Sequence, residues 1–176
     1  MSLIQTRSGN YIDLLAPQPE QFDINDIAHS LAHQCRFNGH CGLFYSVAEH
    51  SIYVAGLVPE EHRLAALLHD AAEAVIGDIV YPLKQAINDL SGGILNIIER
   101  DIHAAIAERF GLAPTLPDEV THADRVMLAT ERQQLLTEHS ENWEILHGID
   151  PADLSLHCWD PREAKREFLR MYNELT

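Results

Sequence analysis

The chain has 176 residues, 46% of them hydrophobic, and a formal charge of −15 at pH 7. That size and apolar content predict one domain over residues 1–176 that buries roughly two-thirds of its unfolded surface. The acidic balance argues against a general binder of nucleic-acid polymers, since counterion release needs a field of Lys and Arg.

Leu3-Ile4-Gln5-Thr6 and Tyr11-Ile12-Asp13-Leu14-Leu15 flank Arg7-Ser8-Gly9-Asn10, which reads as the turn of a small hairpin at the domain edge. Beyond Pro17 and Pro19, Asp23 opens a helix in which Ile24, Ile27, Ala28, Leu31 and Ala32 recur at helical spacing. His29 and His33 lie four apart there, a spacing that can chelate. They lack an acidic partner of the kind that Asp70 gives His69, so a polar helix edge is the expectation.

Arg36-Phe37-Asn38-Gly39-His40 places a cation, a ring, an amide, a flexible point and an imidazole on what reads as a loop. It is either a binding loop on a rigid scaffold or a helix end with Gly39 as terminator. The cysteines Cys35, Cys41 and Cys158 form no C-x-x-C pair and read as reduced thiols. Phe44 to Leu57 reads as a largely apolar helix, and a histidine inside it, His50, must hydrogen-bond or bind something.

Pro59-Glu60-Glu61 begins a helix that runs into Leu67-Leu68-His69-Asp70-Ala71-Ala72-Glu73, with Glu73 expected one turn after His69 on the same face. Gly77 is the expected stop, leaving Asp78 free to point back. Ile79 to Lys84 reads as a turn or short helix broken by Pro82, and Gly92-Gly93 as a break. Ile94–Phe110 is an amphipathic helix ended by Gly111, and Pro117 to Leu136 is another, with Asp124 close to its inner side. Residues 137–160 read as loop or short helices and Pro161 to Leu175 as a terminal helix. No apolar run approaches the ~20 residues of a membrane span, and the first seven residues lack a signal-peptide core, so a cytoplasmic protein without a membrane partner is expected.

His50, His69-Asp70 and Asp124 thus fall on three helices, which is how a metal site is built inside a bundle. Two imidazoles and two carboxylates suit a first-row divalent metal and offer too few oxygens for a calcium cage. A bound metal lowers the pKa of water from ~15.7 towards ~7. Glu73 is placed to accept or deliver the proton, Asp78 to orient the water or leaving group, and Arg36 is the nearest cation for a phosphoryl group in transit. The constellation reads as metal-assisted hydrolysis of a phosphate ester.

The ordered series His50, His69-Asp70, Glu73, Asp78, Asp124 resembles the HD superfamily of metal-dependent phosphohydrolases. Arg36-Phe37-Asn38-Gly39-His40 and Tyr45-Ser46-Val47-Ala48-Glu49-His50-Ser51 resemble its bacterial and phage nucleotide-hydrolysing branch. The resemblance implies an all-α HD-domain helical bundle and one transition metal (Co, Mn, Ni, Fe or Zn) held by His50, His69, Asp70 and Asp124. It implies Glu73 and Asp78 as catalytic carboxylates, and a small-molecule deoxynucleotide as substrate. Arg36 would contact the phosphate, with Phe37, Asn38, His40 and Lys84 as further substrate contacts, and relatives of this kind are homo-oligomers. The favoured reaction converts a deoxynucleoside 5′-monophosphate to deoxynucleoside and phosphate. The alternatives are a triphosphohydrolase acting on dATP and, from another class, a non-catalytic nucleotide sensor.

Overall fold

The computed structural model describes residues 2–141 and 143–176; Met1, and Asn142 within the connection read from 137 to 160, lie outside the described residues. The architecture is an all-α bundle carrying a small two-stranded antiparallel hairpin. Strands β1 (Leu3–Gln5) and β2 (Tyr11–Asp13) pair with Ile4 opposite Ile12. The helices are α1 (Ile24–His33), α2 (Val47–Gly56), α3 (Arg63–Leu67), α4 (Glu73–Ile76), α5 (Tyr81–Ser91), α6 (Ile94–Phe110), α7 (Asp118–Leu135) and α8 (Pro161–Leu175). None of them is long and apolar enough to cross a membrane.

Helix α2 is the axis of the bundle and packs against α1, α3, α7 and α8. Its small and branched apolar residues Val47, Ala48, Val54 and Ala55 are fully buried, and they bring those neighbours close. Leu31, Leu67, Ile102, Met127 and Phe168 fill the layers around it. Each such side chain contributes about 1.5–3 kcal/mol on burial.

Local chemistry sets the helix ends. The Asp23 carboxylate accepts from Asn25 N at 2.7 Å to start α1, and Asp160 accepts from Arg162 N and Glu163 N ahead of Pro161 to start α8. Ser46 Oγ accepts from Glu49 N at 3.1 Å, so α2 begins at Val47 and not at Phe44. Tyr45 and Ser46 are instead extended: Tyr45 O accepts from Arg36 N, and Ser46 bridges Cys35.

Two expected features differ. The helix expected from Pro59 through Ile76 is interrupted: α3 ends at Leu67, and the chain passes through tightened turns, with His69 N on Ala66 O, Ala71 N on Leu68 O and Glu73 N on Asp70 O, before α4 begins. His69 and Glu73 therefore belong to different elements and not to one helical face. Pro82 starts α5 and does not break it, because a first-turn residue has no helical acceptor for its missing N–H. Gly77, at φ 85°, ends α4 as expected; its N–H donates to Glu73 O.

Candidate metal centre

His50 projects from the buried face of α2 and is wholly enclosed. Its Nδ1 lies 2.6 Å from Oε1 of Glu131, a fully buried carboxylate on α7. A carboxylate only accepts, so Nδ1 carries a proton, and in the neutral imidazole, the form that binds a metal, it is Nε2 that keeps the lone pair. His69 is fixed the same way by a local partner: Nδ1 donates to Ala66 O at 2.7 Å, across the interruption between α3 and α4. The break in the helix thus presets the tautomer of the second imidazole.

Both Nε2 atoms face the same carboxylates. His50 Nε2 is 3.1 Å from Asp124 Oδ1 and 3.6 Å from Asp70 Oδ2, and His69 Nε2 is 3.3 Å from Asp70 Oδ2 and 3.9 Å from Asp124 Oδ1. Neither Nε2 makes a well-formed hydrogen bond, although both are buried. Among the described residues, His50, His69 and Asp124 form a group whose ligand atoms all lie within 4.8 Å of one another, close enough to hold one divalent metal ion jointly. Unsatisfied, enclosed imidazole nitrogens with second-side hydrogen bonds are what a metal-ligating histidine pair presents.

The electrostatics point the same way. Burial and Arg36 oppose a charge on His50, yet Glu131 and Asp124 raise it to about 9. Against its own burial, His69 is raised by Asp70 and Asp124. Asp124, despite burial, is held well below the usual carboxylate range by its contacts with His50 and His69. Anionic oxygens here draw positive charge onto the imidazoles, and a divalent cation supplies that charge without a proton.

Arg36 links the two sides of the site. Its Nε and Nη2 lie 3.1 and 3.0 Å from Glu131 Oε2, and Nη1 lies 3.7 Å from Asp70 Oδ2. The residue is 8% exposed, so it is an interior cation and not a free loop residue. Burial opposes the charge on Glu131, but Arg36 and His50 keep its carboxyl below its ordinary value. A chain of polar contacts runs Asp70, Arg36, Glu131, His50.

The remaining residues expected at the site are placed as follows. Glu73 begins α4, and burial, reinforced by Asp70 and Asp78, pushes its carboxyl well above the usual range; its Oε2 is buried without a partner. Asp78, just beyond Gly77, is raised by burial and by Asp70, with Arg36 opposing. Phe37 lies beside the guanidinium, 5.6 Å from ring centre to Arg36 Cζ. Phe37 and Asn38 adopt left-handed backbone, φ 57° and 51°, which costs of order 1–3 kcal/mol each and turns the chain sharply just after Arg36. Asn38 and His40 are exposed on that turn. Lys84 is engaged by Glu99, Nζ to Oε1 at 2.6 Å.

Three contributors escape a reading of the sequence. Glu131 stands seven residues after Asp124 on α7, two turns on, and that spacing is the signal that could have found it. Gln34 joins the end of α1 to the Glu73–Asp78 segment: Nε2 donates to Glu73 O at 2.9 Å, and Oε1 accepts from Asp78 N at 2.8 Å. His103 on α6 is lowered by burial and then by the nearby His69. The rings of His29 and His33 lie 4.1 Å apart, tilted by 39°, with His33 Nδ1 on His29 O at 2.7 Å, as a polar helix edge.

No protein-family model matches the chain. It is 38% identical to the uncharacterized protein YfdR of Escherichia coli K12 over 177 aligned positions, covering 100% of this chain and 97% of that protein. The chain belongs to the YfdR family. It is also 42% identical over 185 aligned positions to the uncharacterized protein RCAP_rcc00048 of Rhodobacter capsulatus, covering 96% of this chain and 92% of the other. The YfdR relationship thus runs from the hairpin to α8 and embraces every element that carries the His50, His69 and Asp124 cluster.

Proposed function

We propose that this YfdR-family chain is an HD-type, metal-dependent phosphohydrolase that converts deoxynucleoside 5′-monophosphates to deoxynucleosides and phosphate. The observation that carries the reading is the convergence of His50 Nε2, His69 Nε2 and Asp124 Oδ1, with both Nδ1 atoms already committed elsewhere. Asp70, beside both imidazoles, serves as the fourth ligand. The all-helical bundle, and the order in which the chain supplies these residues, agree with the HD resemblance. A divalent metal held there supplies Lewis acidity, lowering the pKa of water and neutralising phosphoryl charge.

The protein's own groups do the rest. Water oxygen attacks phosphorus, the bond from phosphorus to the 5′-oxygen breaks, and the leaving oxygen takes up a proton. Glu73 takes the proton from water and returns it to the leaving group, a role suited to a carboxyl whose affinity for protons is raised by burial. Asp78, tethered through its N–H to Gln34, orients the water or the leaving oxygen. The Nη1 edge of Arg36, not engaged by Glu131, meets a phosphoryl oxygen. Phe37, Asn38 and His40 frame the nucleoside on the loop.

The engagement of Lys84 by Glu99 favours a monophosphate over a triphosphate, since of these two cations it leaves the Nη1 edge of Arg36, 3.7 Å from Asp70 Oδ2, as the part not held by a carboxylate at hydrogen-bond distance. The test is to incubate metal-stripped protein with dAMP and with dATP, each with and without added cobalt or manganese, and to resolve the products. Deoxyadenosine and inorganic phosphate from dAMP are expected. Deoxyadenosine and intact triphosphate from dATP would assign the triphosphohydrolase instead, and no product from either would favour a nucleotide-binding module.

A further inference from the structure

The loop that carries Arg36, Phe37, Asn38 and His40 is bracketed by Cys35 and Cys41, whose Sγ atoms lie 3.5 Å apart. They are six positions apart in the chain, so the contact reflects the fold of the loop and not adjacency. Both ends are anchored independently. At the first, Cys35 bridges Ser46 and Arg36 N donates to Tyr45 O at 2.9 Å; at the second, Gly42 N donates to Leu135 O at 3.0 Å. Between them the left-handed turn at Phe37 and Asn38, closed by His40 N on Phe37 O, folds the chain back on itself.

We propose that Cys35 and Cys41 form a dithiol site that a low-molecular-weight disulfide oxidises reversibly to an intramolecular disulfide, stapling the base of the Arg36–His40 loop. The sulfurs need to approach by about 1.5 Å to reach the ~2.05 Å bond, which is within the reach of side-chain rotation. Both residues are partly exposed, so a small oxidant reaches them. One protein thiolate attacks a sulfur of the oxidant, releasing one reduced thiol and leaving a mixed disulfide. The neighbouring protein thiol loses its proton to water and displaces the second reduced thiol. The protein pair loses two electrons and two protons, and the oxidant's disulfide is reduced to two thiols. The second step is intramolecular between groups already in contact, so it outpaces capture of another oxidant molecule.

Burial, and then the hydrogen bond with Cys35, push the Cys41 thiol up to about 11, which keeps it protonated in the reduced protein. Cys158 stands apart, on the 157–159 segment that Glu49 binds through backbone N–H groups, and is the internal control. That the staple also fixes substrate-binding groups rests on the proposed function; the disulfide itself does not.

The experiment treats the reduced full chain with oxidised glutathione, alkylates the free thiols and maps peptides by mass spectrometry without reduction. It requires neither metal nor substrate, so its failure is distinct from failure of the hydrolase reading. The expected result is loss of two of the three thiols, one peptide linking Cys35 to Cys41, an alkylated Cys158, and recovery of all thiols with dithiothreitol. Cys41→Ser is expected to stop at a glutathione adduct on Cys35. Wild-type protein that retains glutathione on either residue, links either one to Cys158, or keeps all its thiols would overturn the proposal, and these outcomes do not depend on the variant folding.

Discussion

Glu131 Oε1 accepts a 2.6 Å hydrogen bond from His50 Nδ1, joining residues 81 positions apart, while Oε2 of the same carboxylate holds the Arg36 guanidinium. One buried carboxylate therefore fixes a proton on one of the clustered imidazoles and anchors the cation of the neighbouring loop.

Glu131→Gln keeps the size and removes the charge. Metal affinity is expected to fall about 10–100-fold, as for other residues that orient a ligating imidazole. Breaking the buried pair with Arg36 is expected to cost about 3–5 kcal/mol and, for a chain of this length, to lower Tm by about 6–20 °C. Calorimetric titration with Mn²⁺ and a thermal melt in chelator read the two effects separately. Unchanged affinity would mean that Glu131 supports the fold alone.

Metal addition to stripped protein is expected to stabilise it by about 2.7 kcal/mol at a hundred times Kd. Asp124→Ala is expected to abolish that increment. A melt of this variant that still rises with metal would place the ion elsewhere.

Glu73→Ala is expected to retain metal binding and lose about 10²–10⁴-fold in kcat on dAMP, the range for an acid/base group. The comparison is initial-rate kinetics alongside the metal content of the purified variant. Full turnover with full metal would remove Glu73 from proton transfer.

Much of this arrangement is legible in the chain. The hairpin, α6 with Gly111 behind it, and α8 behind Asp160-Pro161 follow from turn residues, caps and periodicity. Enclosure of His50 follows from its apolar neighbours on α2. The rest depends on contacts that a local pattern hints at, as the Asp124–Glu131 spacing does, or does not encode at all. Glu131 sits in the polar run Thr130-Glu131-Arg132-Gln133-Gln134, and the partners that make burial of its charge tolerable, Arg36 and His50, come from a loop and a helix far away in the chain. The interruption at Leu68–Ala72 is not legible because Leu68, Ala71 and Ala72 are good helix formers and no Gly or Pro marks a break; the His69 ring takes the Ala66 carbonyl and tertiary packing overrides propensity. Gln34 is an unremarkable polar residue until the fold sets it against Glu73 and Asp78.

Acid dependence is expected where the hairpin meets α1. Asp26 accepts from Ser8 N at 3.0 Å and Ser8 Oγ at 2.5 Å; burial opposes its charge, but these bonds and one with Thr6 hold the carboxyl below 3.8. Its folded value being depressed, the stabilisation is fully present above the unfolded value and is lost as pH falls from about 3.8 through the folded value. Asp26→Asn is therefore expected to destabilise at about pH 6 and to differ less from wild type at about pH 3 in urea unfolding. A gap between the two proteins that does not shrink in acid would contradict that linkage.

The most direct measurement is a titration of metal-stripped protein with Mn²⁺ or Co²⁺ while phosphate release from dAMP is recorded, beside His69→Ala and Asp124→Ala. Release is expected to rise in proportion to metal up to one equivalent per chain and then level, with both variants silent throughout. Phosphate release that survives stripping, or that persists in either variant, would contradict a hydrolytic metal centre at His50, His69 and Asp124.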